Sequence, residues 1–232
     1  MSAERQARPL LLGHRGCRLK QFPESSMSAF RRALASGCDG FEFDVRATAD
    51  RRLVCIHDPA IGKHRVADYV YDKLCKEYLK YGPSHTKSIA CLDDVLRDFG
   101  ASAFLDIELK VAGMEKPVLD LLSRYRPQQF VVSSFLAETL ADLAELNPEI
   151  PLGFIFDDVS GLRIYPNLPV SYLMPRHDLL TRELTEAFHR DGYKVLAWTV
   201  NHPTDMHRLA EWGVDGLISD DPALLCETVN GR

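Results

Sequence analysis

Apolar residues in this chain fall into short runs, separated by longer amphipathic stretches whose apolar positions recur with helical spacing. The runs begin near Leu10, Gly40, Ala103, Phe130, Pro151, Val170, Lys194 and Val214. Helices are expected over Ser25–Ser36, Leu92–Phe99, Lys116–Tyr125, Leu136–Leu146, Thr181–Arg190, Pro203–Trp212 and Asp221–Val229. The stretch Val159–Tyr165 has the least helical pattern of the set. Eight strands with a helix after most of them predict a TIM (β/α)8 barrel, with a doubly wound open sheet as the alternative. Most strand starts lie about 20–30 residues apart, as one βα unit requires.

The interval from Gly40 to Ala103 is longer and marks an insertion after the second strand. Residues 40–48 read as a strand, Ala49 to Arg52 as a turn and Leu53 to His57 as the returning strand. A turn centred between residues 50 and 51 makes paired positions sum to 101 and sets His57 opposite Asp44, on one face. Residues 58–91 are then expected to form a small cap above the strand ends, within a single domain spanning residues 1–232.

Strict alternation on two strands brings in the chemistry. Phe41, Phe43 and Val45 alternate with Glu42 and Asp44, and Leu105, Ile107 and Leu109 alternate with Asp106, Glu108 and Lys110. Each apolar trio faces the helices and each polar set faces the barrel axis. Buried acids are costly unless they are paired or hold a metal. A structural ion pair explains either strand alone, whereas Glu42, Asp44 and Glu108 converging on one axis point to a metal site. Oxygen ligands suit a hard cation, Mg²⁺ or Ca²⁺. Asp106 reads as deeper core.

His14 and Arg15 end the first strand and Gly16 permits a sharp turn, at the barrel face where catalytic groups sit. Arg15 offers a planar fork matched to phosphate and Lys110 a point charge. Three carboxylates, one divalent cation, Arg15 and Lys110 sum to +1, which a monoanionic phosphodiester neutralises. His14 and His57 on either side of such a site suit general acid and general base roles. His64, His85, His177, His189, His202 and His207 read as surface or loop residues.

The bulk numbers narrow the class. A net charge of −5 argues against a nucleic-acid partner. Six dispersed cysteines (17, 38, 55, 75, 91, 226) without finger spacing read as reduced thiols, and no run approaches the ~20 apolar residues of a membrane span. With too short an apolar run after Met1–Pro9 for a signal peptide, a cytoplasmic protein without stable membrane insertion is expected. Oligomeric state is not legible.

The ordered set of motifs resembles the glycerophosphodiester phosphodiesterases. The marks are His14-Arg15-Gly16, Pro23-Glu24-Ser25-Ser26, Ala29-Phe30, Glu42-Phe43-Asp44-Val45 and Val54-Cys55-Ile56-His57-Asp58. Further along are Ile107-Glu108-Leu109-Lys110, Trp198-Thr199-Val200-Asn201 and Gly213-Val214-Asp215-Gly216-Leu217-Ile218-Ser219-Asp220. The resemblance covers about Leu10 to Leu225. It implies a TIM barrel with a divalent metal on Glu42, Asp44 and Glu108 and acid–base work by His14 and His57. It also implies Arg15 and Lys110 as phosphate contacts and Trp198 as a wall of the pocket, with barrel core as the structural alternative for Trp198. The implied reaction is hydrolysis of a glycerophosphodiester to sn-glycerol 3-phosphate and an alcohol through a cyclic phosphate, with His57 as base and His14 as acid in the first step. Ser25-Ser26 replaces the family's Asn-Thr, and Ser25 is expected to cap the following helix. The turn lacks the usual Asp-Gly, and Lys63-His64 stands where Arg-Thr is common. Tyr69, Tyr71, Leu74, Tyr78, Leu79 and Tyr81 in the cap pose the alternative of an apolar groove for a lipid substrate, as in a lysophospholipase D-like hydrolase. A barrel that binds phosphodiesters without cleaving them is the remaining alternative.

Overall fold

Eight parallel strands close on themselves in a computed structural model that describes residues 8–81 and 88–231. The Met1–Pro9 segment up to residue 7, the side chain of Tyr81 and His85 lie outside the described residues. The chain opens with β1 (Leu10–Gly13), α1 (Met27–Ala35) and β2 (Gly40–Ala47), then β3 (Leu53–Cys55). A short ribbon of β4 (Ala60–Ile61) and β5 (His64–Arg65) follows, with α2 (Tyr71–Tyr81) and α3 (Leu92–Phe99). The βα alternation resumes with β6 (Phe104–Leu109), α4 (Glu115–Tyr125), β7 (Gln129–Ser134), α5 (Ala137–Leu146), β8 (Leu152–Phe156) and the single turn α6 (Gly161–Ile164). It ends with β9 (Tyr172–Pro175), α7 (Arg182–Arg190), β10 (Lys194–Ala197), α8 (Pro203–Glu211), β11 (Gly216–Ser219) and α9 (Pro222–Asn230).

The strand order runs β1-β11-β10-β9-β8-β7-β6-β2, and the β1–β2 pairing closes the barrel. Every expected strand start lies within two residues of the observed one. The helices match as closely, Leu92–Phe99 to the residue, and the stretch with the least helical pattern is only one turn. Helix α2 was not foreseen.

Two apolar layers explain the closure. Inside, Leu12, Phe104, Val131, Ile155, Met174 and Ile218 fill the barrel. Outside, Phe41, Phe43, Leu105 and Ile107 meet Phe30 of α1 and Leu96 and Phe99 of α3. Phe30 stacks on Phe41 with centroids 4.4 Å apart, and Phe99 meets Phe41 edge-on. This is the outward face that the alternation predicted, so Glu42, Asp44, Asp106 and Glu108 are turned inward.

Three details differ from the sequence expectation. The β2–β3 register pairs Val45 with Cys55, Arg46 with Val54 and Ala47 with Leu53, so paired positions sum to 100. The loop is odd-numbered: Thr48 and Arg52 close it, with a 3.0 Å bond from Thr48 N to Arg52 O, and Arg51 takes the left-handed φ of 61°. Ile56 therefore lies opposite Asp44, and a one-residue slip reverses which face each side chain takes. The cap of α1 is Ser26, whose Oγ accepts from Ala29 N at 3.2 Å, while Ser25 sits at φ 53° with its hydroxyl buried. Asn tolerates that left-handed conformation better than Ser. Leu79 of the cap stripe stays exposed, while Tyr69, Tyr71, Leu74 and Tyr78 pack inward. Leu74 is fully buried beside Val54, Ile61 and Val66, with Tyr69, Tyr71 and Tyr78 against them, so the stripe holds the cap together. His64 also turns into the cap, 2.7 Å from the Tyr69 hydroxyl.

Gly40 shows how tightly the acid-bearing strands fit. A Cβ at this position would lie 1.8 Å from the backbone oxygen of Phe104. Relief requires β2 and β6 to part. Gly40→Ala is expected to cost about 3 kcal/mol or more by overpacking. That lowers the melting temperature by roughly 6–12 °C, readable in a thermal melt.

Candidate active site

Strands β2 and β6 run in parallel register, with Glu42 beside Asp106 and Asp44 beside Glu108. Adjacent inward side chains on adjacent strands must meet, and oxygens of Glu42, Asp44 and Glu108 all lie within 4.8 Å of one another. All three residues are buried. Burial, reinforced by Asp44 and Glu108, pushes Glu42 well above the usual carboxylate range. Burial and Asp44 push Glu108 up to about 7 against the pull of Lys110. Asp106 is pushed up to about 8 by burial, although it accepts a 2.6 Å bond from Ser133 Oγ. It stays outside the cluster of three, yet it lines the same cavity rather than lying in deeper core.

Such a cluster fits a divalent cation. Glu42 Oε1 and Asp44 Oδ2 are buried without a hydrogen-bond partner, and the donor set is all oxygen. A bound cation would give these oxygens a partner, Asp44 Oδ2 otherwise having only the Arg15 ion pair.

The two fixed cations both lie beside the acid cluster. Lys110 Nζ lies 2.5 Å from Glu108 Oε1 and 3.3 Å from Asp44 Oδ1. Burial disfavours its charge, but the two carboxylates outweigh this and raise its pKa. Arg15 Nε is 3.2 Å from Asp44 Oδ2, and its NH1 donates to Glu24 Oε1 at 2.7 Å. The turn explains the placement: Arg15 adopts φ 49° and Gly16 φ 77°, which aims the Arg15 backbone N–H at Glu42 Oε2, 2.9 Å away. A non-glycine residue in this conformation is strained, and the site holds it there.

The two histidines differ in setting. His14 Nδ1 is 2.6 Å from Asp220 Oδ1, while Nε2 faces Glu42 Oε2 at 3.7 Å. Burial lowers the His14 pKa against the opposing pull of Asp220. Burial also opposes ionisation of Asp220, yet its bonds to His14 and to Asn201 Nδ2 (2.7 Å) bring it down to about 2. An ionised carboxylate only accepts, so Nδ1 of His14 carries the proton and Nε2 presents its lone pair when the ring is neutral. His57 is more exposed. It has passed the end of β3, with its carbonyl held by Arg46 Nε at 2.8 Å and its Nδ1 2.8 Å from Asp58 Oδ1. It reaches the site from the strand exit rather than as the cross-strand neighbour of Asp44.

A cavity of roughly 230 Å³ joins these groups, lined by His14, Arg15, Glu42, His57, Glu108 and Lys110 on its polar side. Trp198 and Phe135 also line it, edge to face at 5.6 Å, with Lys110 Nζ 5.5 Å from the Phe135 ring centroid and Trp198 Nε1 donating to Met174 O at 2.8 Å. All eight expected site residues except Asp44 line the cavity, and Asp44 lies directly behind it in the acid cluster. Sequence reasoning gave no role to Phe135, Glu24 or Asp220. Asp220 had a signal, since it follows the last barrel strand at the catalytic face. Phe135 had none beyond its place after β7.

The profile of the Glycerophosphoryl diester phosphodiesterase family matches residues 14–224. The chain is 31% identical to a glycerophosphodiester phosphodiesterase of Caldanaerobacter subterraneus subsp. tengcongensis, over 95% of this chain and 97% of that one. A second of that description, from Bacillus altitudinis, is also 31% identical, over 91% and 94% of the two chains. Among solved structures, an Oleispira antarctica phosphodiesterase in complex with the product sn-glycerol-3-phosphate superposes with a TM-score of 0.84 at 22% identity, covering 96% of this chain and 97% of that one. The glycerophosphodiester phosphodiesterase of Thermotoga maritima gives 0.80 at 21% identity, with 95% and 98% covered. The chain belongs to the glycerophosphodiester phosphodiesterase family, and its barrel is that family's barrel.

Proposed function

We propose that this phosphodiesterase hydrolyses glycerophosphodiesters to sn-glycerol 3-phosphate and an alcohol, with a divalent cation, Mg²⁺ or Ca²⁺, held by Glu42, Asp44 and Glu108. The observation that carries the reading is the convergence of the buried acid cluster, two cations and two histidines on one cavity. The product bound in the Oleispira antarctica relative supports the choice of glycerol phosphate. A cation bound there would act as a Lewis acid toward the phosphoryl oxygens.

The chain's own groups do the rest. Arg15 and Lys110 orient the phosphate through charge-assisted hydrogen bonds, and Trp198 and Phe135 shape the wall beside the glycerol. The 2-hydroxyl of glycerol attacks phosphorus and hands its proton to His14 Nε2 as the new O–P bond forms. His57 protonates the departing alkoxide as the old O–P bond breaks. Water then opens the cyclic phosphate, giving a proton to His57 while His14 returns one to the 2-oxygen. The sum is diester plus water to monoester plus alcohol.

This order reverses the one expected from sequence. The reason is the Nδ1–Asp220 bond, which leaves His14 Nε2 as an acceptor and so suits it to the base role. The domain is read as one unit over residues 1–232, with residues 58–91 as its cap.

Release of sn-glycerol 3-phosphate from glycerophosphocholine should stop with EDTA and return with Mg²⁺ or Ca²⁺; release unaffected by EDTA would sink the metal reading. His14→Ala and His57→Ala should each lower kcat by about 10²–10⁴-fold while leaving the melting temperature near wild type. Asp220→Ala should lower kcat with little change in KM, because it positions His14 without touching substrate.

The raised carboxylates also set a pH dependence. Glu108 and Asp106 titrate at about 7 and about 8 in the fold, against 4.5 and 3.8 as free side chains. Between about pH 4 and 8 the folded state thus binds more protons than the unfolded one, and its stability falls as pH rises. The EDTA-treated protein is expected to melt at a lower temperature at about pH 8 than at about pH 6. Added Mg²⁺ should flatten that slope, and its affinity should rise through about pH 7 because binding expels protons.

A further inference from the structure

Two of the six cysteines meet although 188 positions separate them in sequence. Cys38 lies in the turn between α1 and β2, and Cys226 lies on α9, the last helix. Helix α9 packs on β1 and α1, which brings Cys226 to the point where α1 gives way to β2. The two sulfurs are 3.6 Å apart, and both residues are buried. Neither lines the catalytic cavity, and the reaction proposed above uses neither.

A separate cavity of about 580 Å³ opens onto Cys226, with Arg8, Ser36, Gly37 and Glu227 around it. Gly37 leaves the sulfur uncovered, since a Cβ there would sit in contact with Cys226 Sγ, at 3.7 Å. A small oxidant therefore has a path to this thiol. The contacts give the two sulfurs different roles. Cys38 has two acceptors for its S–H, the Cys226 sulfur and the Pro222 carbonyl at 3.8 Å. Cys226 has Cys38 on one side and the cavity holding Arg8 on the other. The hydrogen bond from Cys38, with Arg8 behind it, lowers the Cys226 pKa against burial and Asp39. The same bond and burial raise that of Cys38, so the proton stays there. A thiolate beside a fixed cation is the reactive form of cysteine.

We propose that Cys38 and Cys226 form a peroxide-reactive dithiol whose disulfide staples the last helix of the barrel to the start of its second strand. The Cys226 thiolate attacks one peroxide oxygen. An S–O bond forms as the O–O bond breaks, and the departing hydroxide takes the Cys38 proton and leaves as water. Cys38 then attacks the Cys226 sulfur. The S–S bond forms, the S–O bond breaks, and the second hydroxide takes up from solvent the proton that Cys226 had released. Two thiols are oxidised and one peroxide is reduced to two waters. The loop so closed spans most of the barrel, and long closed loops restrict the unfolded chain most.

The test treats the full chain with dilute hydrogen peroxide, blocks the remaining thiols with N-ethylmaleimide in denaturant and maps the tryptic peptides. A peptide joining Cys38 to Cys226 is expected, with two of the six thiols lost and both restored by dithiothreitol. The melting temperature should rise by about 5–15 °C on oxidation and fall back with dithiothreitol. Cys38→Ser keeps a hydrogen-bond donor but has no thiol to resolve the intermediate, so dimedone should label Cys226 after peroxide. In Cys226→Ser, Cys38 should stay unlabelled. The wild-type mapping does not depend on either variant folding. No linked peptide, or linkage chiefly among Cys55, Cys75 and Cys91, would overturn the dithiol. Label on Cys38 but not on Cys226 would overturn the order of attack. Linked protein that melts no higher than reduced protein would overturn the staple.

Discussion

Mutual repulsion among three buried carboxylates is the constraint around which this molecule is organised. Glu42, Asp44 and Glu108 have oxygens within 4.8 Å of one another in the low-dielectric interior of a barrel. Burial first, and repulsion from the neighbouring acids after it, raises Glu42 and Glu108 above the usual carboxylate range. The fold keeps them together because each strand has a strong reason to face the way it does. Phe41, Phe43, Leu105 and Ile107 commit the opposite faces of β2 and β6 to the layer beneath the helices. The same side-chain period that buries the phenylalanines leaves the acids facing inward.

A chain of ion pairs radiates from that cluster and ties the first and last strands to it. Asp44 meets Arg15, Arg15 meets Glu24, Glu24 meets Arg18, and Arg18 reaches Asp220, which holds His14. His14 and Asp220 are 206 positions apart in sequence, and the pairing of the first strand, β1, with the last, β11, makes them neighbours. Barrel closure therefore builds the candidate site as well as the fold. It sets the tautomer of the first histidine. The second histidine depends instead on a local device, the β2–β3 hairpin and its Arg46–His57 bond.

Much of the architecture was legible because it follows from local periods. Strand starts, most helix bounds and the inward set Glu42, Asp44, Asp106 and Glu108 come from alternation that each segment carries within itself. What was misread depended on single backbone conformations. Arg51 entering the left-handed region shifts the hairpin by one residue, and Ser25 doing the same hands the capping role to Ser26. Neither residue is glycine, so neither advertises its conformation.

The sequence by itself determined which residue types the catalytic face would hold and on which strands, because periodicity and motif order are properties of neighbouring residues. It also determined the charge of the named side chains, three carboxylates against Arg15 and Lys110, because that is a sum over residue types. Tertiary structure decided the rest: that Asp220 orients His14, that Phe135 joins Trp198, and that His57 and His14 line one cavity. Each of these is a meeting of distant segments across a closed barrel. Its geometry depends on register and closure, which no local pattern contains.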